Sequence, residues 1–99
     1  MPESPVSPEI TSDLANLFDS LSDPTRLLIL ISLLNGEKGV GELVEIVGIS
    51  KYAISHQLRR LKDRRIINTR KQGRNVYIYL DDAHVVELLE CGLSHIQHG

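Results

Sequence analysis

Between Val40 and Leu80 the apolar residues change period once, and that single change leaves the chain very few folds. Val40 to Val47 is a short amphipathic stretch closed by Gly48, a residue suited to the left-handed position that ends a helix. Ser50 then stands as the cap of another helix whose Ala53, Ile54, Leu58 and Leu61 share an inward face. After Arg65 the repeat becomes two. Ile66 and Ile67, then Val76, Ile78 and Leu80 alternating with Tyr77 and Tyr79, read as two strands, with Lys71-Gln72-Gly73-Arg74 as the β-turn between them. A short helix, a Gly-containing turn, a second helix with a polar outer face and a hairpin directly after it describe a helix-turn-helix with a wing.

The flanking segments complete the outline. Leu14, Leu17, Phe18 and Leu21 mark a first helix. Ser22-Asp23-Pro24 supplies an N-cap followed by proline at the first helical position, and Leu27 to Leu34 form a helix apolar almost all round, hence central and buried, which Asn35-Gly36-Glu37 ends. Asp82 is placed to cap a last helix, with Val85, Leu88, Leu89, Leu93 and Ile96 at mostly helical spacing. The expected order is α-α-α-α-β-β-α, mainly α with a β-hairpin wing, over residues 10–99; residues 1–9, with three prolines and two serines, read as a disordered arm. The first and last helices carry apolar faces that one domain of 99 residues leaves without partners, so a homodimer through the terminal helices is expected.

Charge is segregated. From Lys51 to Arg74 nine basic residues stand against Asp63 alone, a balance of +8, while Arg26 and Lys38 against twelve acids leave the rest at −10, giving the net −2. A solvated face normally mixes signs, so this run is the footprint of a polyanion binder. On the fourth helix Lys51, Tyr52, Ser55 and His56 are positioned to meet base edges of double-stranded DNA, with Arg59 on the backbone. In the wing, Arg70, Lys71, Arg74 and Asn75 can hold phosphates or reach a minor groove.

Asp82, His84, His95 and His98 make a D-x-H-x10-H-x2-H pattern. His84 and His95 lie about 20° apart around a helix but roughly 16 Å apart along it, so they cannot share an ion within one chain. Two copies of the helix packed antiparallel about a two-fold axis would bring the Asp82/His84 end of one to the His95/His98 end of the other, giving two identical intersubunit sites. One carboxylate and three imidazoles suit tetrahedral zinc or cobalt and leave no open position for catalysis. The alternative is that His95 and His98 sit at a helix C-terminus because positive charge is favoured there.

Other classes are poorly served. There is no H-E-x-x-H, so a small zinc hydrolase lacks its parts and no enzyme activity is expected. The run Leu27 to Leu34, broken by Ser32, is far too short to span a bilayer, and the first residues lack a basic start and apolar run, so no membrane association and a cytosolic location are expected. Cys91 is the sole cysteine, which excludes an intrachain disulfide.

In this order the parts resemble the ArsR/SmtB family of metal-sensing winged-helix repressors, from Leu14 to His98. The stretches that carry the likeness are Leu21-Ser-Asp-Pro-Thr-Arg-Leu, Ile54-Ser-His-Gln-Leu-Arg-Arg-Leu-Lys and Arg70-Lys-Gln-Gly-Arg-Asn-Val-Tyr. The resemblance implies a metal-free homodimer that binds a palindromic operator and is released by Zn(II) or Co(II), with Asp82, His84, His95 and His98 matching the site on the family's last helix. It also implies a link from the non-ligating nitrogen of His95 to a backbone carbonyl around Arg65. One departure stands out: thiolate-using members carry cysteines in the stretch matching Glu37 to Leu43, where this chain has Gly39 and Gly41. Without them soft ions such as cadmium, lead and trivalent arsenic lose their preferred ligands. Cys91 reads as a small buried hydrophobe near the helix interface, the alternative being a repressor that answers a redox signal through it.

Overall fold

The computed structural model describes residues 3–99, and its elements run α1 (Pro8–Leu21), α2 (Pro24–Ser32), β1 (Lys38–Gly39), α3 (Val40–Val47), α4 (Lys51–Asp63), β2 (Ile67–Gln72), β3 (Asn75–Leu80) and α5 (Ala83–His98). The winged helix-turn-helix is as expected, with one added element: Lys38 and Gly39 pair with Ile78 and Tyr77, making a three-stranded antiparallel sheet in the order β1-β3-β2. A two-residue strand has no periodicity to read; it exists because β3 offers it an edge.

Local chemistry sets each boundary. Ser7 accepts the Ile10 N–H and Pro8 occupies the first turn of α1, so Pro8 and Glu9 are helical rather than part of an arm. The Ser-Pro pair there is the same signal as Asp23-Pro24, where the Asp23 carboxylate accepts the Arg26 N–H at 2.9 Å. Of the expected arm, Met1 and Pro2 lie outside the described residues. Helix α3 ends at Gly48 with φ +77°, and Ser50 starts α4 by accepting the Ala53 N–H at 3.1 Å. The hairpin turn is tighter than expected: Gln72 pairs with Asn75, so only Gly73, at φ +62°, and Arg74 make the turn.

Ile29, Leu30, Leu33, Leu43, Ile54, Leu58, Leu61, Ile66, Ile67, Ile78, Val85 and Leu89 form one continuous core under α2, α3, α4 and the sheet. Leu28, in the helix expected to be buried all round, is 40% exposed. Helix α1 shows why it needs more than this core. Leu17 and Leu21 pack against it, whereas Ile10, Leu14 and Phe18 form an outward stripe, each about half exposed at 55%, 51% and 51%. Among the described residues no helix is long and apolar enough to cross a membrane.

Candidate functional site

Inward anchoring of Ile54, Leu58 and Leu61 rotates α4 so that Lys51, Tyr52, Ser55, His56 and Arg59 are all exposed on its other side, with Tyr52 at 84%. The wing folds beside them. A groove of about 590 Å³ between the starts of α3 and α4 and the hairpin is lined by Lys51, Arg74 and Asn75 together with Gly39 and Tyr77. A second, of about 310 Å³, holds Ser55, Arg59 and Lys62 against Thr69 and Val76. Side chains from distant parts of the sequence thus share one exposed basic face, with Lys71 and Arg74 exposed at the hairpin tip. That face suits a polyanion.

Arg70 behaves differently from its neighbours. Its Nε donates to Glu37 Oε2 at 3.1 Å, its Nη2 to Glu37 Oε1 and its Nη1 to Gln72 at 2.9 Å, while its guanidinium lies 4.9 Å from the centre of the Tyr77 ring. Expected as a phosphate contact, it is taken up by a fork-on-carboxylate pair and a cation–π stack that fasten the wing to the α2–β1 turn. The hydrogen bond from Arg70 holds the Glu37 carboxyl below the usual carboxylate range. Glu37 and Tyr77 are partners of Arg70 that the sequence alone does not reveal, because segments far apart in the chain are brought together by the β1 pairing, which sets Gly39 opposite Tyr77.

At the start of α5, Asp82 caps the helix: its Oδ1 accepts the N–H of His84 at 2.8 Å and of Val85 at 3.3 Å. The same oxygen lies 3.4 Å from His84 Nδ1, and the His84 side chain is 91% exposed. The structure therefore brings Asp82 and His84 together and leaves His95 and His98 exposed in the last turn of the same helix. Among the described residues no three His, Cys, Asp or Glu side chains converge to hold a metal, and no hydrogen bond joins His95 to the Arg65 carbonyl. Cys91, expected to be buried, is exposed in the single chain. Between these two ends α5 borders an open apolar groove of about 340 Å³ with α1 and α2, lined by Phe18, Leu21, Leu27, Leu88, Leu93 and Ile96 among others.

A recognition helix, an adjoining wing and a basic face across both define a DNA-binding winged-helix module. Residues 23–69 match the model described as bacterial regulatory protein, arsR family. The chain is 34% identical over 97 residues to the HTH-type transcriptional regulator NmtR of Mycobacterium tuberculosis, covering 98% of this chain and 81% of that one. It is 43% identical over 84 residues to the cadmium resistance transcriptional regulatory protein CadC homolog of Staphylococcus aureus, covering 84% and 69%. Its fold superposes on the crystal structure of the AntR antimony-specific transcriptional repressor with a TM-score of 0.85 at 33% identity, over 98% and 88% of the two chains. The chain belongs to the ArsR family of bacterial transcriptional repressors, DNA-binding regulators rather than enzymes. These likenesses do not favour the redox alternative through Cys91.

Proposed function

We propose that this chain is a homodimeric, metal-responsive repressor that holds a palindromic operator while metal-free and leaves it when Zn(II) or Co(II) binds at two intersubunit sites. Lys51, Tyr52, Ser55 and His56 meet base edges; Arg59, Lys71, Arg74 and Asn75 hold the backbone; Arg70 positions the wing from below. The observation that carries the reading is the division of donors on α5: an Asp82/His84 pair at one end, His95 and His98 at the other, and part of an open apolar groove between. Antiparallel pairing of two such helices joins the half-sets.

The side chains present fit such an ion. The Asp82 cap uses Oδ1, so Oδ2 remains for ligation, and all three imidazoles are exposed. Held by these four, the ion would supply a cross-link between two chains and no open coordination position. The names of the CadC homolog and of AntR support a metal effector, while their soft ions do not fit a chain with Gly39 and Gly41 in the stretch where thiolate-using members place cysteine. Zinc or cobalt fits this donor set better.

A cobalt titration followed by absorption tests the site, because tetrahedral Co(II) gives intense d–d bands. Duplex binding followed by fluorescence anisotropy, with and without zinc, tests the response. The expected result is tetrahedral bands at one ion per chain and weakened duplex binding with zinc. Octahedral bands, or a duplex affinity indifferent to zinc, would sink the proposal.

A further inference from the structure

We propose that Arg64 is a positioning residue for operator recognition: it latches the C-terminal end of α4 to α1 and so fixes the tilt of the recognition helix against the dimer frame. The inference rests on the repressor reading above. Arg64 follows α4 directly, with its own N–H bonded to the Arg60 carbonyl at 3.2 Å, and Arg65 then takes φ 61°, turning the chain so that Ile66 enters the core. The Arg64 backbone is thereby fixed, and its side chain reaches α1.

There Nη1 donates to the Asn16 carbonyl at 3.0 Å and to the Ser20 hydroxyl, and lies 3.8 Å from Asp19 Oδ2. Ser20 is 2% exposed, the one buried polar residue among those described, and its hydroxyl donates onward to the Asn16 carbonyl at 3.0 Å. From the α2 side, Arg26 donates to the carbonyls of Ser20 and Asp19, each at 2.9 Å. A buried hydroxyl with both its donor and acceptor roles used is costly to disturb. Between α1 and α4 the surfaces do not close: an open groove of about 350 Å³ is lined by Asp13, Asn16, Leu17, Ser20, Arg64 and Ile66. Across this groove the hydrogen bonds of Arg64 join the end of α4 to α1.

Geometry makes the latch matter. The outer stripe of α1 belongs to the face that a second copy would cover, whereas α4 carries the base-reading residues at its far end. At 1.5 Å per residue the 13 residues of α4 span about 20 Å, so a tilt of about 10° at Arg64 moves Lys51 by about 3 Å. That is close to the rise of one base pair. Two half-sites must be met at one fixed separation, so an error of this size in each protomer is felt as loss of spacing selectivity. Arg64, although part of the basic run, acts from behind the helix and not on phosphate.

The test uses duplexes selected from a random pool by the unaltered chain and resynthesised with the half-sites one base pair closer or farther. Arg64→Gln is expected to remain a dimer by sedimentation, lose about tenfold in affinity for the selected spacing, bind random duplex as before with an unchanged salt slope, and discriminate less between spacings. Ser20→Ala keeps the charge of Arg64 and disturbs only the latch, so it should move the same way by a smaller amount, and it carries the test if Arg64→Gln fails to fold. Unchanged affinity and spacing preference in both variants overturns the inference. So does an equal loss by Arg64→Gln on selected and random duplex with the salt slope reduced by about one, which marks a phosphate contact. An unaltered chain blind to spacing overturns the repressor reading itself, whereas a selective one with indifferent variants overturns only the latch.

Discussion

At the scale of single residues, the left-handed Gly48 and the two wing arginines give the cleanest tests. Gly48 at φ +77° has nothing within 4 Å of an added Cβ, so Gly48→Ala meets a conformational cost and no clash. The expected loss is about 1 kcal/mol, read as a lower urea midpoint with unchanged slope. Arg74 is exposed at the hairpin tip and Arg70 is held by Glu37, so their alanine variants should differ. Arg74→Ala should weaken selected and random duplex alike and reduce the salt slope by about one. Arg70→Ala should leave that slope nearly unchanged while loosening the wing, seen as lower amide order parameters from Asn68 to Tyr77. Equal slopes for the two variants would show that Arg70 reaches phosphate after all. The Glu37–Arg70 pair also sets a pH direction: with the Glu37 carboxyl lowered in the folded chain, its contribution is present above the ordinary carboxylate range and lost as pH falls through the lowered value. Both groups are exposed, so the effect is on wing order and not on global unfolding.

At the scale of elements, what the sequence made legible is what local chemistry determines. The caps Asp23, Ser50 and Asp82, the left-handed Gly48 and the switch from period 3.6 to period two each act within a few residues, and each appears where the pattern put it. Composition alone hides the start of α1 in a proline-rich stretch, although Ser7-Pro8 is itself a cap signal. Strand β1, the Glu37–Arg70 pair and the Arg64–Ser20 hydrogen bond are hidden for a deeper reason: each joins segments far apart in the chain, and no spacing rule reports them. Of the proposed ligands, one chain brings Asp82 and His84 together and places His95 and His98 at the other end of α5. Helix α5 offers a way to separate the cap made by Asp82 from its proposed ligation. Asparagine caps as well as aspartate but supplies no carboxylate, so Asp82→Asn should keep the thermal midpoint while weakening Co(II) binding by at least about tenfold. Loss of stability without loss of cobalt affinity would confine Asp82 to capping.

At the scale of the whole molecule the single chain is elongated and leaves apolar surface uncovered. Its radius of gyration is 15.4 Å and its longest extent 57 Å, against about 13 Å expected for the radius of a compact domain of this size. The stripe of Ile10, Leu14 and Phe18 and the groove bordered by Leu88, Leu93 and Ile96 leave apolar surface open to a partner: burying such half-exposed side chains contributes about 1 kcal/mol each. A dimer is therefore expected at micromolar concentration without metal, and a monomer by sedimentation with or without zinc would remove the shared site. In the dimer, metal can release DNA only to the extent that it binds the DNA-free form more tightly. If zinc weakens duplex binding by a given factor, saturating duplex must weaken zinc binding by the same overall factor. His95→Ala, which takes a ligand from both proposed sites, should bind the selected duplex normally and no longer respond to zinc. Because protons compete with metal for imidazole nitrogen, the response of the unaltered chain should also weaken on acidification. A His95→Ala dimer still released by zinc as fully as the unaltered one would refute the metal-sensing mechanism while leaving the repressor fold, and its operator binding, intact.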